Sequence, residues 1–476
     1  MSANNGKTGI EAKDAVVTGQ TSDGVEIHAR LLKLTRFSAS LEIFDPNIAP
    51  SASAVIEKFQ VLLQNRAVYS GRAVVRNMVN AGSTMICEVA LSENFWIDLE
   101  MVAGGITKDQ VQGEFDQFIQ NWQKSYRVGQ DYKIVIADIQ SFLDGLRLWL
   151  DRVELGIRSA LPADQSQLET DIASRLSGPV SSAMGSMFER FELVAERIDK
   201  ESIPEHRSFG QRQLHPYLLC APFIHRTYAK PLGYAGDYEM MNMIVRNGLE
   251  GNSLYAKLVN AYLLDQAPAR AVRNRVGFLE ARIAEETSRI SRSGGTASIF
   301  CIACGPAWEV TNFLNGHPLA NHARFDLLDF NDETLRHTTA KIAEIKKKNN
   351  LRTQVNLVKN SVQNLLKANS KQSQGAPQYD LIYCSGLYDY LNDRICKALN
   401  NYLYSRLLPG GIMVVGNFAP STPIRNMMEH ALEWFLIYRD GKQLAVLSPD
   451  DAPPENCRII AEPTGTNIFL EVRKPK

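Results

Sequence analysis

Apolar and polar positions follow three different rhythms along the chain. Between Gly24 and about Leu99 they alternate. Val25, Ile27, Ala29 and Leu31 form one such run, Leu41 and Ile43 belong to the next, and apolar segments follow at 70–76 and 85–90. A period of two with little helix between the runs predicts a small antiparallel barrel or sandwich. From about residue 106 the period lengthens. Val111, Phe115, Phe118, Ile119, Trp122 and Tyr126 recur at helical spacing, as do Val135, Ile139, Phe142, Leu143, Leu146 and Leu150. Such stripes cover a core or a second copy of the chain; a groove for a lipid tail is the alternative. A break at 159–167 precedes more helix, out to about Lys200.

The third rhythm starts near residue 291. Short apolar runs at 298–302, 325–329, 355–358, 379–384 and 412–416 alternate with helical patterns, notably Asp332 to Lys348 and Asp393 to Leu408. Strand and helix in alternation predict a parallel, doubly wound sheet. A late pair of runs, 458–461 and 467–472, reads as an antiparallel hairpin at its edge. The boundaries that follow are a disordered tail over 1–22, a β-barrel over 23–105, a helical region with a substrate-side loop over 106–290, and an α/β domain over 291–476.

Candidate chemistry is concentrated in the third segment. Ser298 to Ile302 ends in the turn Ala303-Cys304-Gly305-Pro306-Ala307, after which Val310, Phe313 and Leu314 open a helix. Small residues at alternate positions let the backbone approach a ligand closely. Asp329 closes the second strand, 24 residues after Gly305, where a carboxylate can accept the hydroxyls of a ribose. That spacing fits a dinucleotide or S-adenosylmethionine (SAM). Ala303 and Pro306 break the G-x-G-x-x-G turn that a pyrophosphate prefers, so the reading leans to SAM. Ala303, Cys304, Gly305 and Pro306 then shape the cofactor loop. Asn360, Ser361 and Val362 flank the adenine, and Ser385 and Gly386 underlie the methionine end. Glu309 faces the loop if its helix starts near Pro306, and otherwise forms a salt bridge.

Acceptor-side candidates follow the later strands, where open α/β sheets place their ligands. They are Tyr388 and Asp389 after the fourth strand and Asn417 after the fifth, to be weighed against a packed tyrosine, a helix cap and a turn cap. The stretch Tyr228 to Tyr238 carries Pro231, Gly233 and Gly236 and reads as a substrate-side loop or an ordered connector. Tyr228, Lys230, Tyr234 and Asp237 are its candidates. Arg439 or Lys230 would pair with a substrate carboxylate, with a helix-end salt bridge as the alternative for Arg439.

Five segments carry a narrower resemblance. They are Tyr228 to Tyr238, Ile302 to Ala307, Ser385 to Leu391, Gly416-Asn417-Phe418, and Trp434 to Arg439. In that order they resemble bacterial class I SAM-dependent methyltransferases of extracellular-factor, or 3-hydroxypalmitic acid methyl ester, biosynthesis. The resemblance runs from Tyr228 to the C-terminus. It implies a Rossmann-like methyltransferase domain that esterifies a small or lipid-like acid, such as a 3-hydroxy fatty acid, into a methyl ester used in quorum sensing. It also implies a degenerate PilZ-like barrel at the N-terminus. Leu232 and Trp308 stand where relatives often have Arg, which bears on substrate choice. Arg72 and Arg76 have the R-x-x-x-R spacing of a cyclic di-GMP segment, but they lie late in the barrel and no D-x-S-x-x-G follows. The expectation is a barrel without that ligand.

Composition narrows the partners. Lys plus Arg equals Asp plus Glu, at 52 each, which argues against nucleic acid. No apolar run is long enough to span a bilayer, and the polar start lacks a signal-peptide core, so the chain reads as cytoplasmic. Seven cysteines suit that compartment. Cys301 and Cys304 form a C-x-x-C without a second pair, so no metal is expected. A homodimer through the helical stripes, an alcohol- or amine-methylating enzyme, and a SAM sensor without turnover remain open.

Overall fold

The structure, a computed structural model, describes residues 15–21, 24–35, 37–44, 50–63, 66–80, 84–92, 128–369 and 377–476, with single positions at 112, 115, 116 and 119. Most of the tail 1–22 and the stripe residues Val111, Phe118, Trp122 and Tyr126 lie outside them.

Six strands come first: β1 (Ala15–Thr21), β2 (Glu26–Leu34), β3 (Ser38–Ile43), β4 (Val55–Leu63), β5 (Arg66–Asn80) and β6 (Met85–Leu91). Among the described residues the helices that follow are α1 (Gln130–Arg158), α2 (Pro162–Ala195), α3 (Ile203–Leu218), α4 (Pro222–Ala229), α5 (Tyr238–Arg246), α6 (Leu254–Leu264) and α7 (Ala267–Ser291). Strands and helices then alternate: β7 (Ala297–Ile302), α8 (Trp308–Gly316), β8 (Ala323–Asp329), α9 (Asp332–Lys348), β9 (Gln354–Lys359), α10 (Val362–Asn369), β10 (Tyr379–Cys384), α11 (Asp393–Ser405) and β11 (Leu407–Phe418). Two short helices, α12 (Arg425–Ala431) and α13 (Gly441–Val446), precede β12 (Cys457–Ala461) and β13 (Asn467–Arg473). Among the described residues, no helix is long and apolar enough to cross a membrane.

The chain divides into two compact units. Unit 1 comprises Met1–Ala235, Gly248–Leu263 and Ile424–Phe435; unit 2 comprises Gly236–Asn247, Leu264–Pro423 and Leu436–Lys476. Two expected boundaries shift. β1 starts at Ala15, inside the stretch read as disordered, because Val17 is a fully buried barrel residue paired with both β2 and β4. And α7 joins unit 2 rather than the helical region, since Leu279 and Ile283 pack into the core beneath β7.

In unit 1 the six strands close into an antiparallel barrel in the order β1-β2-β3-β6-β5-β4. Alternation puts Ile27, Ala29 and Leu31 inside with Phe59, Tyr69 and Val89. The spacing of Arg72 and Arg76 falls on β5. Arg76 pairs with Glu88 at 3.2 Å, and Arg72 donates to the carbonyls of Ala229 and Tyr228 at 3.4 and 3.5 Å. In α1, Val135, Ile139, Leu143 and Leu150 are buried, so this stripe serves the core of unit 1.

Unit 2 holds a seven-stranded sheet in the order β12-β13-β11-β10-β7-β8-β9. β7 to β11 are mutually parallel, while β13 runs antiparallel to β11 and pairs with β12 as a hairpin. β7 and β10 are buried at every position, as expected for strands covered on both faces. β11 begins at Leu407, ahead of the apolar run at 412–416, with an irregular register against β10 at Tyr379/Leu381. Side chains start the helices: Asn331 caps α9, Asn392 caps α11, and Asp440 forms a capping box with Gln443 on α13.

Strand order reverses direction at the adjacent strands β7 and β10. Ligands of open α/β sheets bind at the carboxyl ends of such a pair. Close packing continues beside it. A Cβ added at Gly416 would lie 3.1 Å from the Phe469 ring and 3.3 Å from the Ser385 carbonyl. Gly416→Ala is therefore expected to cost about 1–3 kcal/mol through overpacking, measurable by urea unfolding.

Candidate active site

β7 ends at Ile302, and the next residues adopt an unusual backbone. Ala303, Gly305 and Ala307 have φ of 54°, 53° and 49°. For an L-residue the left-handed region costs roughly 1–2 kcal/mol. Alanine at two of the three positions thus stores strain, which persists only where surrounding contacts dictate the conformation. Those contacts are present. Cys304 N–H donates to Leu328 O at 2.9 Å, Gly305 N–H to Asp329 Oδ2 at 3.0 Å, and Ala307 N–H to Cys304 O at 3.0 Å. The Thr338 hydroxyl holds Gly305 O at 2.8 Å.

Asp329 is the anchor. It is buried, and its Oδ1 accepts the Asn331 N–H at 3.0 Å. A third backbone N–H, that of Phe330, also acts on this carboxylate. Burial pushes the carboxyl pKa up, and the backbone N–H groups of Asn331 and Gly305 oppose that shift. On the neighbouring strand end, Asn360 N–H donates to Asp329 O at 3.0 Å. Asn360 Oδ1 accepts the Ser361 N–H at 2.9 Å, Ser361 Oγ accepts the Asn364 N–H at 3.2 Å, and Val362 packs on the core. The structure thus brings Ala303, Cys304, Gly305, Pro306, Asp329, Asn360, Ser361 and Val362 to one end of the sheet. Cys304 and Cys301 are both buried, and burial holds both thiols well above their ordinary range. Among the described residues no cluster could hold a metal ion.

At the end of β10, Ser385 O receives Arg275 Nη1 at 2.7 Å, and a Cβ on Gly386 would lie 3.4 Å from Arg275 Nη2. Two buried carboxylic acids act electrostatically on this guanidinium, Asp389 and Glu309. Glu309 sits in the first turn of α8 and accepts the Tyr383 hydroxyl at 2.8 Å; burial raises its pKa. Asp389 Oδ1 accepts the Phe418 N–H at 2.6 Å, and burial pushes its carboxyl up to about 6. Helix α5 contributes Asn242, whose Oδ1 accepts the Trp308 indole N–H at 2.9 Å. Trp308 is thereby committed to holding α5 beside the loop.

Three acceptor-side expectations need correction. Tyr388 is fully buried in the apolar core, and its hydroxyl donates to Asn400 Oδ1 at 2.5 Å. Asn417 is also fully buried. Its amide N–H groups go to the carbonyls of Phe418 and Ile437 at 3.0 and 2.9 Å, and its Oδ1 accepts Arg439 Nη1 at 2.6 Å. Arg439 further donates to the carbonyls of Tyr388 and Leu391 at 2.8 and 2.6 Å and pairs with Asp393 at 2.7 Å. These three form a structural clamp in which every N–H and O–H donor is spent on the protein.

The loop Tyr228 to Tyr238 is divided between the two units. Tyr228, Lys230 and Tyr234 belong to unit 1. There Tyr228 packs on His215 with ring centroids 4.4 Å apart, and Lys230 Nζ donates to Leu432 O at 3.1 Å. Burial lowers the Lys230 pKa to about 7. In unit 2, Asp237 caps α5 by accepting the Met240 N–H at 2.8 Å. Its neighbour Gly236, with φ of 77°, lies against Tyr390: a Cβ there would be 2.8 Å from the hydroxyl. The loop thus meets the segment after β10 through Gly236 and Tyr390.

Arg275 was missed because a lone arginine in a helix has no motif. One signal was available. Val272, Arg275, Leu279 and Ile283 share the buried face of α7, and a charge inside an apolar stripe needs an explanation.

Residues 233–444 match a family model described as "Putative methyltransferase". That span lies mostly in the unit with the mixed seven-stranded sheet. The chain matches none of the curated protein sequences. Among solved structures it is similar to a protein from Bordetella parapertussis described as a possible exported protein, at 16% identity over 53% of this chain and 86% of that one, TM-score 0.41. It is also similar to the N-methyltransferase NodS from Bradyrhizobium japonicum WM9 in complex with S-adenosyl-L-homocysteine, at 15% identity over 44% and 90%, TM-score 0.27. A third is the magnesium protoporphyrin IX methyltransferase of Synechocystis PCC 6803 with bound SAM, at 13% identity over 43% and 83%, TM-score 0.28.

In unit 2 the clamp makes a clear stability prediction. Arg439→Ala strips buried Asn417 Oδ1 and two carbonyls of their donor, and is expected to cost about 3–5 kcal/mol. Denaturant unfolding of the full chain measures it, with Tyr388→Phe as a milder comparison at about 1 kcal/mol.

Proposed function

We propose that the protein is an enzyme that transfers a methyl group from SAM to a small or lipid-like acceptor. The observation that supports this most is the strained small-residue loop tied to Asp329 at the reversal point of the sheet. The Asp329 carboxylate would take the ribose hydroxyls. Residues 360–362 would flank the adenine, and Ser385 and Gly386 would underlie the methionine end. The matched methyltransferase model over 233–444 agrees with this reading. The test is calorimetry with SAM on the parent and on Asp329→Ala, which should bind about 1–3 kcal/mol more weakly.

Methyl transfer needs the acceptor, the methyl carbon and the sulfur in line, so the protein's main task is positioning. Our first reading of the acceptor is a carboxylate, such as that of a 3-hydroxy fatty acid, giving a methyl ester. It is supported by the resemblance of the five ordered segments, and by the fact that a carboxylate is already ionised near neutrality and needs no base. A second reading, a hydroxyl or amine acceptor, is favoured by Asp389. Its carboxyl, pushed up to about 6 by burial, would be ionised at pH 7 and poised to take a proton.

Asp389→Asn separates the two, because an amide oxygen can still accept the Phe418 N–H but cannot act as base. With a hydroxyl or amine acceptor, kcat should fall about 10²–10⁴-fold, and parent kcat/KM should rise with pH through about 6 as Asp389 deprotonates. With a carboxylate acceptor, both should change little. Labelled SAM with free fatty acids and with cell extract identifies the acceptor; if nothing is ever methylated, a SAM sensor becomes the better reading.

The barrel is read as a degenerate PilZ-like domain without cyclic di-GMP, which the engagement of Arg76 by Glu88 supports. Seven unpaired cysteines suit a reducing cytoplasm.

A further inference from the structure

Two buried arginines lie near the ends of β10 and β11, and they differ in how their donors are used. Arg439 is 2% exposed and makes five contacts with protein oxygens, from Nε, Nη1 and Nη2. Arg275 remains 9% exposed and gives a single hydrogen bond to oxygen, from Nη1 to Ser385 O at 2.7 Å. Its other polar contact is Nη2 to the Met241 sulfur at 3.6 Å, a weak acceptor. Among the described residues no carboxylate comes within ion-pair distance of it, although Asp389 and Glu309 both act on it electrostatically. Five N–H donors in a planar fork are thus largely unspent.

Burying an arginine so incompletely paired is costly. Gly386 is the residue it faces, and even a Cβ there would come within 3.4 Å of Nη2. The fork sits between the end of β10 and the first turn of α8, which carries Glu309 straight after the cofactor loop. One guanidinium beside two carboxylic acids presents both signs of charge. An α-amino acid carries both signs as well: a carboxylate that matches a guanidinium in bidentate fashion and an ammonium that a carboxylate attracts.

We infer that Arg275 receives the amino-acid carboxylate of the methyl donor, with Glu309 on its ammonium side. This rests on the proposed SAM site and assigns its polar end. A carboxylate of the acceptor has the same chemistry, so the test must tell the two apart.

The probes are SAM and 5′-methylthioadenosine, which keeps the nucleoside and the sulfur but lacks the amino-acid end. Calorimetry on the full chain compares the parent with Arg275→Gln and Arg275→Lys, each first checked for a parent-like thermal unfolding profile. Arg275→Gln should weaken SAM about 10- to 100-fold, as expected for losing a charged hydrogen-bonded pair, and leave methylthioadenosine within about twofold. Arg275→Lys should recover part of the SAM affinity, since a point charge replaces the fork. Equal weakening of both probes, or of neither, overturns the assignment. If neither weakens but KM for an acid acceptor rises, the carboxylate read by Arg275 is the acceptor's. If the parent binds neither probe, the SAM reading itself falls, a result distinct from every other.

Discussion

The Gly305 N–H on the Asp329 carboxylate is the contact that the rest of the site depends on. It joins the loop after β7 to the end of β8 across adjacent parallel strands. Without it, two alanines would have no reason to remain left-handed, and the loop would relax away from the sheet end. The same carboxylate holds the Asn331 N–H, and Asn331 in turn caps α9. One buried side chain therefore sets the path of the loop and the start of the following helix. Burial works against its ionisation, and the N–H groups offset that. Burial outweighs them, so the carboxyl pKa stays raised.

A second constraint acts at the other side of the sheet. Arg439 joins the segment after β10 to the end of β11 through Tyr388 O, Leu391 O and Asn417. The clamp is made almost wholly of backbone carbonyls and one amide, so it fixes geometry without presenting reactive groups. Its effect is to place Asp389, whose Oδ1 is itself tied to the Phe418 N–H. Rigid support of this kind is what a positioning mechanism needs, because small displacements of a reacting pair cost rate steeply.

Most of the sheet was legible because its strands are buried on both faces. Continuous apolar runs such as Ile299 to Ile302 and Leu381 to Cys384 are punctuated by polar helices, and α9 starts and ends where its pattern does. The turn after β7 was legible for a related reason: its small residues end a fully buried strand, and three of them take left-handed φ. The acceptor side was not. Tyr388 and Tyr390 are separated by a single residue, yet Tyr388 bonds Asn400 in the core while Tyr390 lies against Gly236. A 3-10 turn over Tyr388–Tyr390 sends them to different surroundings, and no periodicity announces so short a turn. β1 was hidden because Gly19 and several polar residues dilute its alternation.

Buried charge is the point at which sequence and structure differ most in what they can say. Arg275 and Arg439 look alike in the sequence: each is a single arginine among apolar residues. Burial does not separate them either, since both are nearly inaccessible. The use of donors does. Arg439 is spent on carbonyls that the fold must satisfy, so it explains why the loops sit where they do. Arg275 is spent on one carbonyl and a sulfur, so the fold alone does not account for it. A buried guanidinium that its own protein does not satisfy either destabilises the fold without return or waits for an anion. Its place beside Gly386 and the first turn of α8, at the carboxyl end of the sheet, favours the second.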